Sequence, residues 1–124
     1  MERVTGIGGV FFRARDREAL GAWYREHLGV PVDEAGHAIV PESRNIVWSP
    51  FTADTSYWPA EKQWMVNFTV DDLDAMLAQL RDAGVEVDEQ VEVMEGIGRF
   101  GWAVDPEGNR FELWEPSSSL GTAQ

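Results

Sequence analysis

The residue best placed to do chemistry in this sequence is Glu112, which stands between bulky apolar residues in FGWAVDPEGNRFELWEP, residues 100 to 116. A carboxylate in such surroundings can ligate a divalent cation. It can also act as a general acid or base, because burial in an apolar cavity raises the pKa of a carboxyl group. A third interpretation is a partly buried ion pair, for which Arg13 is the candidate partner. The three interpretations differ in which side chains must lie beside Glu112.

The segment around Glu112 is typical of two strands joined by a tight turn, because Asp-Pro-Glu-Gly-Asn is a favourable turn sequence. Two earlier segments also show the alternation of strands. In GVFFRA, alternation places Phe11 and Arg13 on one face. In WMVNFTV, it places Met65 and Asn67 on one face.

Each of these two earlier strands is followed by an amphipathic helix. Asp16 precedes REALGAWYREHLG and is the expected cap of a helix that stops near Gly29. Asp71 or Asp72 precedes LDAMLAQLRDAG and is the expected cap of a second helix, which stops at Gly84. The repeated order of strand, aspartate, helix, glycine and valine-x-valine indicates a duplicated module rather than a solenoid.

Two tandem βαβββ modules are therefore predicted within a single domain, because apolar runs typical of strands follow each helix, including one over residues 85–93. The expected boundaries are about 5–50 for module one, 50–63 for a linker, 64–116 for module two and 117–124 for a frayed tail. The linker carries Tyr57 and Trp58, which are unusual in a solvated connection. We expect them to close a lid or to cover a dimer seam.

Charge and composition exclude several classes of function. The chain has 22 acidic and 10 basic residues, a formal charge of -12, so neither nucleic acid nor a membrane surface is expected as a partner. It has no cysteine, which excludes disulfides, thiolate metal sites and cysteine nucleophiles. No apolar stretch approaches the length of a membrane span, and the N-terminus lacks the apolar region of a signal peptide. We expect a soluble, cytoplasmic protein.

Four features together resemble the vicinal oxygen chelate superfamily, which includes glyoxalases, bleomycin resistance proteins and extradiol dioxygenases. They are the doubled module and the segments AWYREHLGV, VDDLDAMLAQLRDAGVEV and DPEGNRFELWEP. The resemblance implies an α+β fold in which the modules form a curved mixed sheet around a cleft, with the helices outside. It also implies a homodimer. Metal enzymes of the group take one ligand from the first and one from the last strand of each module.

In this sequence the four ligand positions fall on Gly9, Ile46, Met65 and Glu112. Ile46 comes opposite Glu112 when Trp48 is matched with Trp114. Glycine has no side-chain donor, and a thioether is a poor ligand for the cations that this fold uses. The two histidines, His27 on the helix and His37 in a turn, do not replace the missing ligands by spacing. We therefore expect no metal and no cofactor, which argues against metal-dependent glyoxalase or dioxygenase activity.

Strand alternation predicts an aromatic inner face with a few polar side chains, which suits an organic ligand. Its members are Phe11, Arg13, Trp48, Asn67, Glu112 and Trp114, beside Gly9, Ile46 and Met65. For Trp48 and Trp114, a shared structural role competes evenly with ligand stacking. With Tyr57 and Trp58, the polar and aromatic members form the expected ligand-binding set.

The leading hypothesis is a protein of this superfamily that binds a small organic molecule without the usual metal site. The alternative is a lyase, isomerase or dioxygenase-type enzyme of the same superfamily that uses Glu112 as an acid, a base or an unusual ligand. A non-catalytic interaction module is a third class, since an acidic surface and linker aromatics also suit a protein partner.

Overall fold

The computed structural model describes residues 1–28, 30–40 and 46–118. The elements are β1 (Val4–Ala14), α1 (Arg17–Leu28), β2 (Ala38–Val40), β3 (Ile46–Thr52), β4 (Trp64–Val70), α2 (Leu73–Asp82), β5 (Glu86–Val87), β6 (Glu92–Met94), β7 (Gly98–Val104) and β8 (Arg110–Pro116). The fold is α+β with parallel and antiparallel strand pairs, and its repeated order of strand, helix and strands confirms the predicted class. The helix stop at Gly29 and most of the predicted tail lie outside the described residues.

The chain divides into two compact units. The α1 unit is Gly9–Met65, and the α2 unit consists of residues 1–8 and the chain from Val66 onward. The predicted linker lies inside the α1 unit, and β1 and β4 contribute residues to both units. In the described part of the chain, no helix is long and apolar enough to cross a membrane.

In the α1 unit, β3 lies between β1 and β2, parallel to β1 and antiparallel to β2. The β1–β3 register pairs Phe11 with Ser49. Helix α1 begins after Asp16, whose carboxylate accepts a hydrogen bond from the backbone N–H of Ala19 at 3.0 Å. This is the predicted helix cap.

Trp48 lies on the side of β3 that faces α1. Its ring centroid is 4.8 Å from that of Tyr24 on the helix. The prediction that Trp48 and Ile46 share a face with Phe11 is therefore wrong. The error lies in matching Trp48 with Trp114, because a slip of one residue moves a strand side chain to the opposite face.

In the α2 unit, β8 lies between β4 and β7, parallel to β4 and antiparallel to β7. Helix α2 begins after Asp72, whose carboxylate accepts a hydrogen bond from the backbone N–H of Ala75 at 3.0 Å. The chain leaves the helix through Gly84, which has a φ of 80° that glycine adopts readily. The helix-facing side forms the core of this unit, which consists of Val70, Leu73, Met76, Leu77 and Leu113.

The predicted strand over residues 85–93 is two short strands, β5 and β6, which both pair with β7. The pairing breaks after Asp88, whose backbone N–H still donates to the Trp102 carbonyl at 2.9 Å. The Asp88 carboxylate accepts a hydrogen bond from the backbone N–H of Gln90 at 2.9 Å, as in an Asx turn. This local bond competes with continued strand pairing.

Candidate functional site

Three neighbouring strands of the α2 unit bring three side chains together. The registers place Asn67 of β4 and Trp102 of β7 opposite Glu112 of β8. Opposite residues on neighbouring strands point to the same side of a sheet. This side faces away from α2, because Leu113, the next residue along β8, packs in the α2 core. The sequence predicts this face for Asn67 and Glu112.

Glu112, Asn67 and Trp102 form a buried hydrogen-bonded group, which we call the Glu112 cluster. Glu112 is only 1% exposed. Asn67 Nδ2 donates to Oε1 at 2.6 Å, and Trp102 Nε1 donates to Oε2 at 2.9 Å. An indole N–H can only donate, so it needs a lone pair on the carboxyl oxygen. One N–H donor on each oxygen suits the carboxylate form of Glu112.

Aromatic rings surround the Glu112 cluster. Trp114 is buried on the same face of β8 as Glu112, as predicted, and its ring stacks on that of Phe100 with centroids 5.9 Å apart. The Trp114 indole N–H donates to the carbonyl of Ile97 at 3.0 Å. The Arg110 guanidinium lies 5.2 Å from the centre of the Trp102 ring. Aromatic rings therefore line one part of the surroundings of the carboxylate.

Only the Nδ2 end of the Asn67 carboxamide makes a hydrogen bond. Its Oδ1 atom is buried and has no hydrogen-bond donor. A Cβ atom added at Gly8 would lie 2.0 Å from Oδ1 and 2.8 Å from the Trp114 ring. Gly8 therefore provides the space in which the Asn67 carboxamide lies, a requirement that the sequence did not reveal.

Arg13 holds the linker rather than the Glu112 carboxylate. All five of its guanidinium N–H groups donate to backbone carbonyls at 2.8–3.2 Å, those of Ala53, Thr55, Trp58, Pro59 and Lys62. The guanidinium also lies 5.0 Å from the centre of the Trp58 ring. The hypothesis of a hydrogen-bonded ion pair between Arg13 and Glu112 is therefore wrong, because no Arg13 donor is left for it.

Three of the predicted aromatic residues of the α1 unit, Phe11, Tyr57 and Trp58, gather around Phe51. Its ring centroid lies 5.2 Å from that of Phe11, 5.3 Å from Tyr57 and 5.0 Å from Trp58. Trp58 is buried, with 2% of its surface exposed, and its indole N–H donates to the carbonyl of Lys62 at 2.8 Å. This packing gives Phe11 and Trp58 a structural role within the unit. A lid or a dimer seam formed by Tyr57 and Trp58 remains a prediction.

A second polar chain in the α1 unit joins Arg17, His37 and Ser49. Arg17 Nη2 contacts His37 Nε2, and His37 Nδ1 contacts Ser49 Oγ. Because arginine only donates, Nε2 is the acceptor and Nδ1 carries the proton that it donates to Ser49. Burial first, and then the Arg17 charge, lower the pKa of His37 below its usual 6.5. His37 is therefore neutral and does not act as a base toward Ser49.

The sequence contained a signal for one residue that was missed, Trp102. Asp105 and Asn109 are hydrogen-bonded across the β7–β8 turn, and counting outward from this pair brings Trp102 opposite Glu112. Extending the observed β2–β3 register by one residue brings His37 opposite Ser49, a pairing that only the structure shows.

A family model supplies the first comparison with known proteins: the glyoxalase-like domain model matches residues 9–114. The chain belongs to the glyoxalase-like family. This membership places it in the vicinal oxygen chelate superfamily that the sequence resembles. No curated protein matches the sequence.

Solved structures similar to this glyoxalase-like chain include epimerases and a dioxygenase. Methylmalonyl-CoA epimerase from Mycobacterium tuberculosis is 23% identical with a TM-score of 0.67, covering 96% of this chain and 93% of that one. A methylmalonyl-CoA epimerase in complex with methylmalonyl-CoA and NH4+ is 18% identical with a TM-score of 0.71. The match covers 95% of this chain and 99% of that one. The 2,2',3-trihydroxybiphenyl 1,2-dioxygenase from Sphingomonas wittichii RW1 is 25% identical with a TM-score of 0.59, covering 94% of this chain and 42% of that one.

The donor set does not fit the divalent metal that the superfamily implies. Phe11 pairs with Ser49 as Asn67 pairs with Glu112, so Ser49 rather than Ile46 is the module-one counterpart of Glu112. The four positions then carry Gly9, Ser49, Met65 and Glu112. Ser49 is engaged by His37, which leaves Glu112 as the single carboxylate of the four, and one carboxylate does not offset the dehydration of a divalent cation. Within the described residues, no group of three or more His, Cys, Asp or Glu is arranged to hold a metal.

Proposed function

We propose that this glyoxalase-like protein binds a small organic molecule at the Glu112 cluster, without a divalent metal. The observation that supports this most strongly is an excess of buried acceptors. The cluster holds a carboxylate, and beside it Asn67 Oδ1 has no donor. A buried acceptor without a donor costs about 1–3 kcal/mol. A ligand that brings an N–H or O–H donor removes this cost, so such a ligand is favoured.

The surroundings narrow the ligand class further. Trp102, Trp114 and Phe100 present aromatic surface around the carboxylate. Flat rings bind well between aromatic side chains, and a donor on the ring fixes its orientation. The expected ligand is an aromatic amine, amide or phenol.

Binding at this site requires the α2 unit to open. Glu112 and Asn67 are buried in the described conformation, so a ligand reaches them only in a minor open state. The observed association rate is then expected to level off at high ligand concentration, at the rate of opening.

A thermal-shift and tryptophan-fluorescence screen of aromatic amines, amides and phenols tests the proposal. Compounds that stabilise the wild type should bind at least about tenfold more weakly to Glu112→Gln, because a hydrogen bond to a charged group contributes about 1.5–3 kcal/mol. Glu107→Gln, in the exposed turn of the same hairpin, is the matched control and should bind normally. If no compound stabilises the wild type, or if the hits bind both variants equally, the proposal fails.

A lyase, isomerase or dioxygenase-type activity of the superfamily is the second candidate. The solved structures that resemble the fold include epimerases, and an epimerase inverts a stereocentre. In such a reaction the Glu112 carboxylate would take a proton from a substrate carbon, and inversion would require a second acid on the opposite face of the intermediate to deliver a proton there. Glu112→Gln would then lose turnover while it keeps substrate binding. Unchanged turnover in this variant would reject the second candidate.

The remaining proposals concern the setting of the protein. A cytoplasmic location is also proposed, and the lack of cysteine in the sequence is compatible with a reducing compartment. A homodimer, and the absence of nucleic-acid and membrane partners, are proposed from the superfamily resemblance and from the acidic charge. Light scattering on the purified protein tests the dimer.

A further inference from the structure

We infer that the α1 unit carries a second binding site, for a planar aromatic carboxylate, in a surface groove beside α1. The groove has a volume of about 1060 Å³ and lies among the end of β1, the first half of α1 and the linker. Arg15, Ala19, Leu20, Trp23, Tyr24 and Gln63 are among its lining residues. None of them belongs to the Glu112 cluster, so the inference is independent of the proposed function.

The apolar wall of the groove comes from one side of α1. Ala19, Leu20, Trp23 and Tyr24 are spaced three and four residues apart and share one side of the helix. The apolar side of an amphipathic helix usually packs in the core, but Trp23 keeps 49% of its surface exposed. Its ring meets that of Tyr24 edge to face, with centroids 5.1 Å apart. An exposed indole held in place beside an apolar groove offers a surface on which a flat ring stacks.

The charge of the groove favours an anion. Arg15 is exposed and has neither an ion-pair nor a hydrogen-bond partner within the described part of the chain. The other charged lining residues are already engaged, since Arg13 binds the linker carbonyls and Asp16 caps α1. On a chain of formal charge -12, an unpaired guanidinium beside an apolar groove is a specific anchor for a carboxylate.

Isothermal titration with 2-naphthoate, and with neutral 2-naphthamide as the matched compound, tests the inference. The wild type should bind 2-naphthoate about two- to fivefold more tightly than the amide, because the charge pair with the exposed Arg15 is partly screened by solvent. Arg15→Gln should remove this preference, and Trp23→Ala should weaken the binding of both compounds. Arg3→Gln changes the net charge equally at an exposed residue outside the groove, and it should leave affinity unchanged.

The outcomes separate this site from the Glu112 cluster. Glu112→Gln should not alter 2-naphthoate binding. The proposals for the groove and for the Glu112 cluster are therefore tested independently. If Arg15→Gln and Arg3→Gln weakened 2-naphthoate binding equally, the attraction would be a non-specific charge effect and the inference would be overturned. It would also be overturned if light scattering detected a dimer that Trp23→Ala dissociates, because a second copy would then occupy the groove.

Discussion

Replacing Arg13 by methionine should disorder the linker and destabilise the protein strongly. The guanidinium makes five hydrogen bonds to carbonyls, of which the one to Ala53 is exposed and the other four are partly buried. At about 1 kcal/mol for each partly buried bond, and about 0.5–1 kcal/mol for the contact with Trp58, the expected loss is roughly 4–5 kcal/mol. Methionine fills a similar volume but donates nothing.

Urea unfolding followed by tryptophan fluorescence measures this loss as a lower midpoint at similar slope. Arg15→Met is the matched control two residues along the chain, where no partner is lost in the described structure, and it should stay within about 0.5 kcal/mol of the wild type. Arg13→Lys keeps the charge but has only three donors, so its loss of stability should lie between those of Arg13→Met and Arg15→Met. A loss below about 1 kcal/mol in Arg13→Met, or an equal loss in Arg15→Met, would refute the role given to Arg13.

Two further predictions concern Gly8 and His37. Gly8→Ala should cost about 1–3 kcal/mol of stability and displace the Asn67 carboxamide, because the new Cβ would lie 2.0 Å from Oδ1. Thermal unfolding unchanged from the wild type would contradict this. Because the folded pKa of His37 lies below its usual 6.5, the unfolded chain takes up the proton first, so stability should fall as pH drops below about 6.5. Urea titrations at pH 7.5 and 5.5 measure this fall in the free energy of unfolding. The fall between the two pH values should be smaller in His37→Gln than in the wild type, and an equal fall would exclude His37 as its cause.

The fold was largely predictable because it depends on local signals that occur twice. Asp16 and Asp72 both cap their helices through the expected carboxylate bonds. Alternation along β4 and β8 placed Asn67, Glu112 and Trp114 on the correct face. These signals act over a few residues, so they do not depend on the rest of the chain.

The site was less predictable because it depends on register and on long-range contacts. Matching the tryptophan-x-proline ends of the modules put Trp48 on the wrong face, whereas the strand pairing makes Ser49 the counterpart of Glu112. The partners of Arg13 are linker carbonyls 40–49 residues away. Every residue has a backbone carbonyl, so residue types in a sequence do not identify such partners. The space that Gly8 leaves for Asn67 likewise depends on tertiary packing.

The most direct test of a metal-independent site at Glu112 is the dissociation constant of the strongest screening hit, measured by titration for the wild type and Glu112→Gln, with and without EDTA. The proposed function predicts that EDTA leaves wild-type affinity unchanged and that Glu112→Gln binds at least about tenfold more weakly. Loss of wild-type binding in EDTA, or equal affinity in the variant, would contradict it.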